Sequence, residues 1–180
     1  TFTRYTVNVI VNNKDCKGAP FVFESNPTYY NLFGRIEHKF QFGIAITDFS
    51  MIKGGSLHKA NGGYIVINVL DLLRNLFAYD ALKRAIRNVE IKIEDVWEQY
   101  RLLSTTTLRP EAIPMDVKVI LVGNPFLYYL LYNLDEEYRE LFKVKADFDS
   151  RMDRTDENVH KYASFVATRC KEEKLIPFDR

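Results

Sequence analysis

The chain has 180 residues, about one domain's worth, with an ordinary globular balance of 47% hydrophobic and 27% charged side chains. Lys plus Arg number 25 against 24 Asp plus Glu, so nothing in the charge argues for nucleic acid or another polyanion as partner. No apolar run approaches the ~18 residues needed to span a bilayer and no signal peptide opens the chain, so no membrane is expected. Cys16 and Cys170 are far apart and show no metal or redox spacing, which fits two reduced thiols in a cytoplasmic protein.

Arg4 to Val11 (RYTVNVIV) alternates and is expected to be a strand. A strand that begins almost at Thr1 suggests a piece of a longer polypeptide. Asn12 to Pro20 is a turn cluster, and Phe21 to Glu24 (FVFE) reads as a second strand. Asn26 or Thr28 is placed to cap a short helix through Phe33, with Gly34 ending it. Gly34 to Gly63 is the least regular stretch. It holds aromatic and charged residues in a long connection, a pattern more often functional than accidental in a compact α/β domain.

Gly62 and Gly63 then turn into Tyr64 to Leu70 (YIVINVL), the run around which the chain is organised. A short apolar run between turn residues predicts a strand buried on both faces, as in a parallel sheet. Phe77 to Asn88 has helical spacing, with Phe77, Leu82, Ala85 and Ile86 on one side and Asp80, Lys83, Arg84 and Arg87 on the other. Glu90 to Asp95 alternates with a period of two and Ser104 to Leu108 is its expected hairpin partner. Val117 to Val122 (VKVILV) predicts another buried strand, closed by Gly123, Asn124 and Pro125. Phe126 to Phe142 predicts one long helix with Leu127, Leu130, Leu131, Leu134, Tyr138, Leu141 and Phe142 toward the core. Lys143 to Phe148 alternates as a strand, Asp149 to Asp156 is a polar loop, and Glu157 to Lys174 is a final helix with Tyr162, Phe165, Val166 and Cys170 inward. Strands alternating with helices give an α/β fold with a mostly parallel sheet flanked by helices and an inserted β-hairpin.

The layout GSLHKANGGYIVINVLDLL, a helix, a hairpin, then PMDVKVILVGN resembles the second half of an AAA+ (P-loop NTPase-like) core. Within that superfamily, NPTYYNLFGRIEHKFQFG, TDFSMIKGGSLHKANGGY, LFAYDALKRAIRN and LFKVKADFDSRMDRTDEN are similar to the Lon-related ATP-dependent proteases. The resemblance covers essentially the whole chain. It implies a single partial AAA+-like domain over 1–180, with the sheet core at about 1–150 and the start of a helical lid at about 151–180. A phosphate loop before Thr1 and a Ser-Lys peptidase domain beyond Arg180 are expected on the same ground. The pattern G-x-x-x-x-G-K-[ST] occurs at none of the eight glycines, so this piece is not expected to hold ATP tightly or to be an enzyme alone.

By the resemblance, Asn68 stands where the family has a strand-end aspartate that binds magnesium through water. Val69 stands where active AAA+ enzymes have the glutamate that orients the attacking water. Asn68 is neutral and Val69 has no oxygen, so a degenerate hydrolytic site is expected; the alternative shifts the register and gives the acidic role to Asp71. ATP and Mg2+ are then cofactors of the longer protein rather than of this piece. Asn124 matches the polar sensor beside the γ-phosphate, against the plainer reading of a turn residue before Pro125. Arg139 sits where a neighbouring subunit's arginine finger comes from, against the plainer reading of a solvated arginine. Phe40 and Phe42 match aromatic residues that face a central pore and grip unfolded polypeptide, against ordinary packing.

His38, His58 and His160 have no ligand spacing, and no metal is expected. Ser56 with Lys59 and Ser164 with Lys161 lack a glycine-framed nucleophile turn and read as surface pairs. The resulting expectation is the AAA+-like module of an ATP-dependent serine endopeptidase, handling polypeptide substrates in a ring-like homo-oligomer. An intact ATPase motor whose other half lies outside this chain is the first rival, a nucleotide-independent assembly or substrate-gating module is the second, and an AAA+ ATPase of the activator or chelatase type is the third.

Overall fold

The computed structural model describes residues 5–41, 44–94 and 108–176. The elements are β1 (Phe21–Glu24), α1 (Tyr29–Phe33), β2 (Arg35–Ile36), β3 (Lys39–Gln41), β4 (Ile44–Ile46), β5 (Ile52–Lys53) and α2 (Ser56–Lys59). They continue with β6 (Gly63–Asn68), α3 (Val69–Arg74), α4 (Ala78–Asn88), β7 (Glu90–Ile91), β8 (Ile113–Pro114), β9 (Val117–Val122), α5 (Pro125–Leu134), α6 (Glu136–Leu141) and α7 (Asp156–Glu172). The chain divides into two units, Thr1–Lys143 and Val144–Arg180.

The first unit is built on a three-stranded sheet in the order β1-β6-β9, parallel throughout. Phe21 pairs with Tyr64 and Asn68 with Val122, so the C-terminal ends of the strands share one edge. Ile65 and Ile67 of β6 are fully buried with Leu32, Leu57, Leu72 and Leu82, and Val22, Val119 and Leu121 pack on the same cluster. Each such side chain contributes about 1.5–3 kcal/mol of transfer free energy.

The opposite face of the sheet corrects the expectation of a strand buried on both sides. Phe21, Phe23, Tyr64, Ile120 and Val122 are exposed there. Side chains alternate across a strand, and no layer covers that face among the described residues.

The short helix α1 is capped by Thr28, whose Oγ1 accepts from the Asn31 N–H at 3.2 Å, and it ends at Gly34 with φ of 85°. From Gly34 the chain makes an excursion that returns at Gly55. It contains two antiparallel pairs, β2 with β5 and β3 with β4. A Cβ on Gly55 would collide with the carbonyl of Leu32 and the amide of Gly34, so only glycine lets the two ends pass this closely.

Three expectations are corrected, and a fourth, the hairpin partner at Ser104–Leu108, falls almost wholly outside the described residues. Residues 6–9 form no strand; the Asn8 side chain, rather than a backbone ladder, bonds this segment to the Phe49 and Ile52 carbonyls. Glu90–Ile91 pairs with Ile113–Pro114; of the expected partner Ser104–Leu108, only Leu108 is described. The long helix is two helices, broken at Asp135, which caps α6 by accepting from the Glu137 N–H at 3.1 Å. Of its expected core residues Leu131 and Tyr138 are buried, while Leu130 and Leu134 are exposed. Lys143 to Phe148 has no strand, and an alternating segment without a paired neighbour has no ladder to form.

In the second unit, α7 is capped by Thr155, whose Oγ1 accepts from Asn158 N–H at 3.3 Å. Cys170 is buried, but Tyr162 and Phe165, expected inward, are exposed.

Candidate functional site

The candidate site is the C-terminal edge of the sheet, where α/β folds place ligand-binding groups. β1 ends there in Glu24, β6 in Asn68, and β9 in Val122 followed by Gly123 and Asn124. Parallel pairing of β6 with β9 sets Asn68 beside Val122, so the two asparagines begin neighbouring helices at the same edge.

Asn68 is both the last residue of β6 and the N-cap of α3. Its Oδ1 accepts from the Leu70 N–H at 2.9 Å and from the Asp71 N–H at 3.3 Å. Asn124 repeats this at α5, accepting from the Leu127 N–H at 2.9 Å, with Pro125 in the first helical turn. Proline suits that position because its missing N–H would have no partner there. In both residues the side-chain oxygen is engaged by backbone, which leaves the amide N–H groups. Such donors can meet an anionic oxygen and cannot ligate a cation.

Val69 is 5% exposed and packs with Leu131 and Tyr138. Its Cγ1 lies where a Cβ on Gly123 would be, so the end of β9 closes directly over it. Asp71 lies in the first turn of α3, where a carboxylate favours the helix dipole, and faces Arg74 at 3.7 Å. Arg139 is held within its own helix pair: its Nε donates to the Tyr132 carbonyl at 2.7 Å and its guanidinium lies 4.8 Å from the Tyr132 ring centre. The backbone of Phe40 lies in β3. Phe42 lies outside the described residues.

The edge thus brings Asn68, Val69, Asp71 and Asn124 together on adjoining strand ends, whereas Phe40 belongs to the excursion and Arg139 to α6. Glu24 escaped the sequence reading, although its place at the end of FVFE, before a turn, was the available signal. Its carboxylate accepts from the Asn26 N–H at 2.9 Å and from the Ser56 hydroxyl. A pocket of about 220 Å³ opens beside it, lined by Tyr30, Asn31, Arg35, Lys53 and Lys59 among others. Ser56 therefore serves as a donor to Glu24, and Lys161 pairs with Glu157 at 2.6 Å. Among the described residues no group of His, Cys, Asp and Glu is arranged to hold a metal, and no helix is long and apolar enough to cross a membrane.

The chain is 26% identical over 174 residues to the archaeal Lon protease of Halobacterium salinarum, covering 94% of this chain and 24% of that protein. It is 25% identical over 178 residues to the archaeal Lon protease of Thermoplasma volcanium, covering 96% and 26%. The chain therefore spans about a quarter of the length of these curated relatives. Among solved structures, NtrX from Brucella abortus superposes with a TM-score of 0.55 at 16% identity, over 88% of this chain and 33% of that one, a likeness of fold alone. The family model described as "LonB-like, AAA domain" matches residues 17–149. The chain belongs to the LonB-like AAA domain family.

Proposed function

We propose that the chain is the AAA-type module of a Lon-type, cytoplasmic ATP-dependent serine protease, and that it handles polypeptide and assembles with further copies of itself in a ring. The β6 strand end is then a structural joint and not a hydrolytic centre. One observation carries this reading: Asn68 uses its oxygen to cap α3 and Val69 is buried under Gly123.

Magnesium does not fit this strand end. A hard cation takes oxygen ligands, and here the single side-chain oxygen already accepts two backbone N–H groups. In a longer protein carrying this chain, Asn124 and Asn68 would meet a nucleotide as N–H donors. Asp71 is engaged with Arg74 one turn into α3 and makes the weaker candidate for an acidic role. The β3–β4 pair, with Phe40 and Phe42 in and beside it, is the segment assigned to polypeptide contact. The nucleophile and base of peptide cleavage belong to another part of the longer protein.

The test is ATP turnover and casein cleavage by the purified 180-residue chain with magnesium. Neither is expected. Turnover that is abolished by Asp71→Asn in a chain that keeps its fold would overturn the reading.

A further inference from the structure

His58 is 5% exposed, yet it is polar at both ring nitrogens. Its Nδ1 accepts the Gly55 N–H at 3.2 Å, which places the proton on Nε2. That Nε2–H is buried and has no hydrogen-bond partner. A buried donor without a partner is destabilising, and a leucine of similar size would avoid it. Among the described residues the ring's hydrogen bond is to Gly55, the residue at which the excursion from Gly34 rejoins the core.

The same excursion is held from a second side. Asn8 Nδ2 donates to the Phe49 and Ile52 carbonyls, each at 2.9 Å, and the Ile10 side chain lies against Gly54. Both carbonyls belong to the returning arm that leads into and forms β5. The outgoing arm is tied to it by the Glu37 N–H to Met51 carbonyl bond at 3.0 Å. The excursion is therefore held by Asn8 from a segment outside it and, where it rejoins the core, by His58, which bonds back to Gly55 from the first turn of α2.

We propose that His58 and Asn8 are positioning residues that lock the base of the Gly34–Gly55 excursion to the core, so that the β3–β4 pair is presented to polypeptide in a fixed pose. The role assigned to that pair rests on the function proposed above; the lock itself does not. Burial holds His58 neutral, with its pKa lowered to about 4, so the bond to Gly55 persists throughout the neutral range.

The test is amide hydrogen exchange on the 180-residue chain carrying His58→Leu, His58→Asn or Asn8→Ala. Asparagine offers Oδ1 close to the position of imidazole Nδ1 and should keep the bond. His58→Leu and Asn8→Ala should speed exchange at Glu37 and Met51 by about tenfold or more, and leave Ile65 and Leu82 protected. His58→Asn should match the unaltered chain. An equal rise in β6 and α4, or no rise at Glu37 and Met51, overturns the lock. Should His58→Leu fail to fold, Asn8→Ala carries the same expectation, and unchanged exchange in it overturns the proposal.

A second arm uses a longer protein carrying the chain. His58→Leu should impair degradation of a folded substrate and spare cleavage of a short peptide, with His58→Asn restoring the first. If exchange changes as stated but both cleavages fall together, the lock stands and the polypeptide-contact role of β3–β4 falls.

Discussion

Lys83 Nζ lies 2.9 Å from Asp135 Oδ2, joining the middle of α4 to the point where the second helical segment breaks. Tyr79 OH donates to the same oxygen at 2.6 Å, and Lys83 also reaches Glu137 at 3.2 Å. The Lys83 and Asp135 side chains are 13% and 16% exposed. Burial alone would raise the Asp135 carboxyl, but the bonds from Tyr79 and Lys83 outweigh it and hold it below the usual range. Burial would likewise lower Lys83, and its bonds to Asp135 and Glu137 leave it raised instead.

Asp135→Ala removes a helix cap and leaves Lys83 and Tyr79 without their shared acceptor. The expected loss is about 2–4 kcal/mol in urea unfolding, against about 1 kcal/mol for Tyr79→Phe. A depressed carboxyl gives stability that is present above its unfolded pKa and lost as pH falls through its folded value. The Asp135 contribution should therefore disappear only in acid below its ordinary 3.8. A loss under 0.5 kcal/mol, an order-of-magnitude threshold for a surface change, would show that the network is solvated decoration.

His58 predicts a separate acid effect at milder pH. Its pKa falls from the ordinary 6.5 to about 4 on burial, so the unfolded chain binds the extra proton first. Stability should drop as pH falls from about 6.5 to about 4, by roughly 3 kcal/mol, and level off below. Melting curves of the unaltered chain and His58→Asn should diverge in slope across that window. Parallel curves would mean that His58 keeps its ordinary pKa in the fold.

The strands of the sheet were largely legible, because short apolar runs with turn residues mark β1, β6 and β9. The caps at Asn68 and Asn124 were not: the run Tyr64 to Leu70 reads as strand past Asn68, where the chain in fact turns into α3. The break at Asp135 was not legible, because its cause is a set of bonds to Tyr79 and Lys83 on another helix, which periodicity along the chain does not carry. Lys83 sits on what looked like the solvent face of α4 for the same reason. Residues 6–9 and 143–148 alternate like strands, and alternation cannot supply a neighbouring strand. Asn68 and Val69 stood out by residue type, whereas the tight contact of Val69 with Gly123 required the fold.

Gly123 and Val69 should be coupled. Gly123→Ala drives a methyl group into Val69 Cγ1 and should destabilise the chain by about 1–3 kcal/mol. With Val69→Ala in the same chain, the combined loss should be smaller than the sum of the single losses. Additive losses in denaturant unfolding would show that the end of β9 does not rest on Val69.

The polypeptide-contact role assigned to Phe40 and Phe42 is tested in a longer protein carrying the chain. Phe42→Ala should impair degradation of folded substrates more than cleavage of short peptides. If the variant instead loses the ~3–5 kcal/mol expected of a core phenylalanine, Phe42 is packing.

The proposal that the strand end is silent is tested most directly by phosphate release from a longer protein carrying Asn68→Asp with Val69→Glu, beside the unaltered protein. The double change restores the two carboxylates and places them where a cation or hydrogen bonds must receive them. The account predicts that ATP hydrolysis appears or rises, and that magnesium-ATP restores stability to an otherwise weakened variant. Strong hydrolysis by the unaltered protein, abolished by Asp71→Asn, would contradict it.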